Sequence, residues 1–136
     1  MILPELLELP QFSGLVVHGN KRGRVLGFPT ANIAVNGPFP LPDDGVFSCW
    51  ALLREGEALR GATVSVGRNP TFDDVHDRRV EAYIHDLDEL LYGRTIAFFI
   101  VERLRDMQRF ASVAELIAQT GRDVERSRLL LARLAR

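Results

Sequence analysis

The stretch Gly23-Arg24-Val25-Leu26-Gly27-Phe28-Pro29-Thr30-Ala31-Asn32 gathers two glycines, an arginine, a proline and two short oxygen-bearing side chains into ten residues. Each type has a physical reason to be there if the loop holds a phosphorylated nucleotide. Gly23 and Gly27 permit backbone conformations and a close approach that a side chain would block. Arg24 offers a planar fork of donors that matches phosphate. Pro29 fixes φ and drives Phe28 toward extended geometry, so Thr30 and Asn32 leave a stiff segment. If that segment continues as a strand, residues i and i+2 share a face. The Thr30 hydroxyl and the Asn32 carbonyl then point the same way, as two neutral oxygen ligands suited to Mg²⁺. The same spacing also suits a glycine-rich hairpin with Pro-Thr at a strand start. It is neither a Walker A loop, since no Gly-Lys-Ser/Thr follows, nor a dinucleotide fingerprint, since no helix pattern follows.

A second candidate lies in Arg79-Val80-Glu81-Ala82-Tyr83-Ile84-His85-Asp86. Read as a strand, it puts Val80, Ala82 and Ile84 on one face and Glu81, Tyr83 and His85 on the other. A glutamate in that position either faces solvent or is placed for work. Other titratable groups carry less. His18 ends a short apolar strand and reads as structural. The polar segment Asp73 to Arg79, with His76, has nothing to fix metal-ligand geometry.

The elements that must position these residues follow from pattern and punctuation. Met1 to Phe12, with four leucines and two prolines, reads as a short helix or an extended lead-in. Gly14 to His18 is an apolar strand, and Ile33 to Val35 extends the strand begun after Pro29 until Asn36-Gly37-Pro38 stops it. Gly45–Leu53 and Leu59–Val66, separated by Glu55-Gly56-Glu57, read as a hairpin. Thr95 to Val101 is a continuous apolar strand expected to be buried. Ser112 with Glu115 forms a capping box that opens a helical run, and Val113, Leu116 and Ile117 are expected to pack inward. Gly121 is expected to break or kink the run. A second helical run, from Asp123 to Arg136, turns Val124, Leu130, Leu131 and Leu134 inward and its arginines outward. Five or six strands followed by helices define an antiparallel barrel with a C-terminal helix.

Gly-Phe-Pro-Thr-Ala-Asn (Gly27 to Asn32), with Gly14 to Gly19 before it, resembles the ATP-binding segment of the riboflavin kinases, or flavokinases. In many bacteria that module is the C-terminal half of a bifunctional FAD synthetase. Further matches follow along the chain: Gly67-x-x-Pro70-Thr71-Phe72, Val80-Glu81, Leu91-Tyr92-Gly93, and Leu104-Arg105 through Phe110. The resemblance implies the six-stranded Greek-key barrel of that family, with a C-terminal helix. It divides the chain into a lead-in of residues 1–12 and a kinase domain of residues 13–136. The barrel would occupy about 13–104, and the flavin-side loop and C-terminal helices about 105–136.

The same resemblance assigns roles. Glu81 is implied as catalytic base. Thr30 and Asn32 are the implied Mg²⁺ ligands, and Gly19, Arg24, Gly27, Pro29, Thr30, Asn32 and Tyr92 contact ATP. Glu81, Arg105, Met107 and Phe110 lie on the flavin side. Two departures are visible: Leu90 stands where an acidic residue is common, and Met107 stands where the family has a glutamate. The second bears on flavin affinity or loop closure, although a polarizable Met can pack against an isoalloxazine face. The implied reaction is ATP-dependent phosphorylation of the riboflavin ribityl 5′-hydroxyl to FMN and ADP. The alternative is a non-catalytic flavin- or nucleotide-binding module on the same barrel. The N-terminal lead is too short for an adenylyltransferase domain. The expectation is a stand-alone kinase, an excised module, or the partner of a separate FMN adenylyltransferase.

Composition bounds the remaining classes. The 136 residues are 46% hydrophobic and 26% charged, typical of one folded domain. A net charge of −1 argues against an electrostatic grip on nucleic acid. The arginine-rich stretches at 21–24, 103–109 and 122–136 read as local anion contacts or solvated faces. A single cysteine, Cys49, rules out an internal disulfide and a multi-cysteine zinc site. No apolar run nears the roughly 18 residues of a membrane span, and no signal-peptide pattern opens the chain. No membrane partner and a cytoplasmic location are the expectation.

Overall fold

Alternation along the strands builds the interior. In β5 (Arg79–Ile84) buried and half-buried residues alternate without a break, with Val80, Ala82 and Ile84 inside. β4 (Arg60–Gly67) supplies Ala62, Val64 and Val66 to the same interior. The remaining strands are β1 (Gln11–Val17), β2 (Ala31–Val35), β3 (Gly45–Leu52) and β6 (Thr95–Arg105). All pair antiparallel in the order β1-β2-β5-β4-β3-β6, and β6 pairs back onto β1 to close the barrel. The β2–β5 and β3–β6 neighbours are not consecutive in the chain, which is the Greek-key connection expected from the sequence. Closure leaves no strand edge to template aggregation. This computed structural model describes residues 3–17, 28–35, 41–53, 58–67, 78–87, 89 and 91–134.

Large rings fill one end of the core, where Phe12 stacks on Phe98 with centroids 5.2 Å apart. Cys49 is wholly buried in β3, and burial pushes its thiol pKa up, so it packs as a small hydrophobe. The lead-in is a short helix, α1 (Leu3–Leu7), whose Leu6 is buried. The barrel takes in Gln11 and Phe12 directly after it.

Two register shifts in the β3–β6 pair matter for the site, one between Ser48 and Cys49 and one between Val46 and Phe47. Each advances β6 by one residue relative to β3. Together they set Arg105, and not Arg103, across from Val46. Arg103 falls instead over the Phe47 ring, 5.5 Å from its centroid, and pairs with Asp106.

One helix follows, α2 (Val113–Leu134), 22 residues long. Half of the expected capping box forms: the Glu115 N–H donates to Ser112 Oγ at 3.2 Å, while the Glu115 carboxylate reaches one residue further back and accepts from the Ala111 N–H at 3.0 Å. The break expected at Gly121 is absent, because the helix continues through it without interruption. Packing of the turns after that residue, through Val124, Ser127 and Leu131, outweighs the roughly 1 kcal/mol that glycine costs a helix. The inward face also differs from expectation. Asp123, Val124, Ser127 and Leu131 are buried, whereas Val113 and Ile117 are exposed. The first turns of α2 overhang the barrel instead of seating on it. β6 likewise is not buried throughout. Ile96, Phe98 and Phe99 are buried, while Ala97, Ile100 and Val101 are only half-buried.

Candidate active site

The barrel's outer surface carries an unbroken cross-strand row. Asn32 of β2 stands opposite Glu81 of β5, Glu81 opposite Ser65 of β4, Ser65 opposite Val46 of β3, and Val46 opposite Arg105 of β6. Directly paired residues share a face, so Asn32, Glu81 and Arg105 project from the same side of the sheet. Adjacent strands lie roughly 4.8 Å apart, which places Glu81 one strand from Asn32 and, along the sheet, roughly 14 Å from Arg105. The strand reading holds for Arg79–Ile84, where Val80, Ala82 and Ile84 turn inward and Glu81 turns out, but His85 and Asp86 leave the strand in a turn, Asp86 with a positive φ.

Thr30 precedes β2 directly and Asn32 lies within it, both half-buried. Phe28 anchors this segment. Its ring meets Tyr83 edge-on with centroids 5.5 Å apart, and a β-carbon on Gly121 of α2 would lie 3.9 Å from its Cζ. Tyr83 stands two residues from Glu81 on the same face of β5. One aromatic contact therefore ties the Pro29-Thr30 entry to the strand that carries the glutamate. Tyr92 is exposed on the turn before β6. That turn is fastened to β1, where the Gly93 N–H donates to the Val16 carbonyl at 3.0 Å and the Val16 N–H to the Arg94 carbonyl at 2.8 Å. Val17, the next residue, faces Asn32.

On the far side of the row, Arg105 is half-buried and engaged. Its Nε–H donates to both Asp123 carboxylate oxygens at 3.1 and 3.0 Å, and Nη2 lies 2.9 Å from Oδ2. Nη1 donates to the Asp106 carbonyl at 3.0 Å. The guanidinium carbon stands 5.6 Å from the centroid of the Phe110 ring, at cation–π range. Met107 lies across the end of β4: a β-carbon on Gly67 would come within 3.2 Å of its Cγ and Cε. Gly67 shares the outer face with Ser65, so Met107, still 44% exposed, borders the row next to Ser65 and Glu81.

The residues expected to act together thus fall on one surface: Thr30, Asn32 and Glu81 close together, Tyr92 on a turn beside them, and Arg105, Met107 and Phe110 on the α2 side. Gly19, Arg24 and Gly27 lie outside the described residues. So do His18, the Pro70-Thr71-Phe72 turn and the Asp73–Asp77 segment. Sequence reasoning missed Asp123, the carboxylate that holds Arg105, and the seat of Phe28 between Tyr83 and α2. A signal for Asp123 existed. Positions 123, 127 and 131 recur every fourth residue on the buried stripe of α2, and a carboxylate on such a stripe requires a cation.

Among the described residues no group of three or more His, Cys, Asp or Glu could hold a metal ion. Two neutral oxygen donors beside one carboxylate suit Mg²⁺ that arrives with phosphate oxygens and keeps several waters, since Mg²⁺ seldom relies on an all-protein cage. Among the described residues, too, no helix is long and apolar enough to cross a membrane.

The fold is thus a Greek-key barrel domain: a closed six-stranded barrel, backed by one helix and bearing an amide, a carboxylate and an anchored guanidinium in one row of its outer face. The chain belongs to the riboflavin kinase (flavokinase) family, whose model matches residues 7–131. It is 38% identical over 131 residues to the bifunctional riboflavin kinase/FMN adenylyltransferase of Listeria monocytogenes, covering 96% of this chain and 41% of that protein. The Bacillus subtilis protein of the same name is 35% identical over 121 residues, covering 87% of this chain and 38% of its own length. The chain therefore spans about two fifths of these curated relatives. Among solved structures, riboflavin kinase from Trypanosoma brucei shares the fold, with a TM-score of 0.60 at 24% identity over 90% of this chain and 79% of that one. A Streptococcus pneumoniae structure described as a macrolide-efflux protein matches with a TM-score of 0.79 at 38% identity, over 88% of this chain and 38% of that one.

Proposed function

We propose that this chain is a riboflavin kinase domain that transfers the ATP γ-phosphoryl group to the ribityl 5′-hydroxyl of riboflavin, giving FMN and ADP. Membership of the family makes this the first reading, and the pairing of Asn32 with Glu81 across β2 and β5 is the observation that carries it. Glu81 accepts the proton of the attacking hydroxyl as that oxygen bonds to the γ-phosphorus. The bond from that phosphorus to the bridging oxygen breaks, and ADP leaves. A base must lie within hydrogen-bond reach of the proton it takes, and Glu81 stands one strand from the Thr30–Asn32 donors that would seat the phosphates. Thr30 and Asn32 are the residues that would hold Mg²⁺, which when bound offsets charge on the phosphate oxygens. Gly19, Arg24, Gly27, Pro29 and Tyr92 complete the nucleotide side of this proposal.

The roughly 14 Å along the sheet from Glu81 to Arg105 suits a substrate that joins a reactive hydroxyl to a flat ring through a short polyol arm. Arg105 and Phe110 would bind the ring, and Met107 offers exposed, polarizable surface beside it. FMN formed here is the substrate class of an FMN adenylyltransferase, the second activity named for the bacterial relatives. That activity, on the same chain or on a separate protein, is the proposed consumer of the product.

The test is conversion of riboflavin to FMN by purified protein with ATP and Mg²⁺, resolved by chromatography, beside Glu81→Gln. The wild type is expected to form FMN. The variant should lose about 10²- to 10⁴-fold in kcat and keep its affinity for both substrates. Flavin binding without FMN from the wild type would reject the kinase reading, and a fully active Glu81→Gln would reject its base.

A further inference from the structure

Asp123 is a buried carboxylate, 6% exposed, on a helix face otherwise made of apolar and small residues. A buried ion pair is weak evidence for stability, because desolvation offsets much of the attraction, so this one calls for a role beyond docking α2. We propose that Asp123 is a positioning residue for flavin recognition, fixing the Arg105 fork so that its free edge faces the ring of the bound substrate. The proposal rests on the riboflavin kinase reading above.

The geometry is that of a held donor. The Asp123 carboxylate takes the Nε side of Arg105, and the Gln119 amide, one turn earlier on α2, donates to Oδ1 at 2.9 Å and steadies it. The Arg126 guanidinium, from the same helix, donates to the Leu104 carbonyl at 2.7 Å and holds the backbone just before Arg105. Phe110 covers one face of the guanidinium, and the Asp106 carbonyl takes one Nη1 hydrogen. A guanidinium has five N–H groups. The Nε and Nη2 contacts to Asp123 and the Nη1 contact to Asp106 leave two of these five uncommitted among the described residues, both on the terminal nitrogens. Two adjacent donors on a rigid plane match acceptors along the edge of a flat heterocycle. Holding a long side chain in its bound geometry beforehand removes the ordering cost from the binding step.

The experiment measures kcat, KM for riboflavin, KM for ATP, riboflavin Kd by flavin fluorescence, and Tm on the full chain. The variants are Asp123→Asn, Arg105→Lys, the double variant, and Ser127→Ala. Asp123→Asn is expected to raise riboflavin KM and Kd by about 10- to 100-fold, the worth of a charged hydrogen bond, with ATP KM within about twofold of wild type. Arg105→Lys should do the same, and the double variant should add little to either, because both changes remove one coupled interaction. Ser127 seats the same helix, 2.7 Å from Ser48 Oγ, so Ser127→Ala should lower Tm and leave riboflavin KM unchanged.

If Asp123→Asn behaves like Ser127→Ala, or raises both KM values in parallel, Asp123 is a strut and the proposal is wrong. Should Asp123→Asn not fold, Gln119→Leu serves in its place: a rise in riboflavin KM of about two- to fivefold at constant ATP KM supports the proposal, and no rise overturns it. A wild type that binds flavin without forming FMN rejects the kinase reading alone, and the Kd shift of Asp123→Asn then decides this one. A wild type that binds no flavin rejects both.

Discussion

His85 follows β5 directly, in the turn after Ile84, and is only 6% exposed. Its Nε2 lies 2.7 Å from the Thr63 hydroxyl, and its backbone N–H donates to the Gly61 carbonyl at 2.9 Å. Burial disfavours the imidazolium and Arg128 repels it, outweighing the attraction of Asp86, so the pKa falls to about 4. Asp86 is itself held below the usual carboxylate range, first by its hydrogen bond from Arg128. The sign of the effect on stability follows. A folded pKa below the unfolded value of about 6.5 means that the unfolded chain binds the proton first as pH drops. The stabilisation is complete above about pH 6.5 and is lost as pH falls toward 4. Its size is on the order of 2 kcal/mol once solvent screening on the Arg128 side is allowed for. Thermal melts between pH 7 and 4 should show this loss in the wild type. In His85→Gln the slope over that range should be shallower, and an identical slope would assign the acid sensitivity to carboxylates.

α2 is the element that touches both sides of the proposed site. Gly121 faces Phe28 of the Gly-Phe-Pro-Thr-Ala-Asn segment, and two residues on Asp123 grips Arg105. The glycine at 121 is a cost with no steric demand behind it: a methyl there would find Phe28 Cζ at 3.9 Å, an ordinary van der Waals distance. Gly121→Ala should therefore stabilise the protein by about 0.5–1 kcal/mol through helix propensity and reduced unfolded-state freedom. For a domain of this size that is a Tm rise of about 2–4 °C. A fall in Tm would mean that Phe28 packs more tightly on α2 than this spacing allows. The exposed first turns, with Val113 and Ile117 outward, are the part of the helix whose burial depends least on the barrel. Their amides should exchange with solvent sooner than those near Ser127 and Leu131.

At the scale of the whole molecule, alternation made β5 legible, and with it the outward turn of Glu81, because a strand buried on one face repeats every two residues. Turn residues and β-branched runs likewise gave the β3–β4 hairpin. What periodicity could not give was non-local: that Asn32 pairs with Glu81, that two bulges carry Arg105 to the same row, and that Asp123 meets Arg105 across the barrel surface. Gly121 misled for the same reason, since its local cost is overridden by packing elsewhere on α2. Closure of the barrel depends on another glycine, one whose tight packing no local pattern reveals. Gly14 pairs with Val35 on one side and Ile96 on the other, so it sits where β1 joins β2 to β6. A β-carbon there would lie 2.4 Å from Ile33 Cγ2 and 2.6 Å from the Ala34 carbonyl oxygen. The side chain can turn aside but the carbonyl cannot, because it belongs to the β1–β2 ladder. Gly14→Ala must therefore spread that seam, at a cost of about 1–3 kcal/mol, the range found for overpacked interiors. Because every strand in a closed barrel is a neighbour of two others, the strain spreads around the ring. The expected result is a single cooperative urea transition with a lower midpoint and an unchanged m-value. A two-step transition would instead show that β1 and β2 can part while the other four strands stay folded.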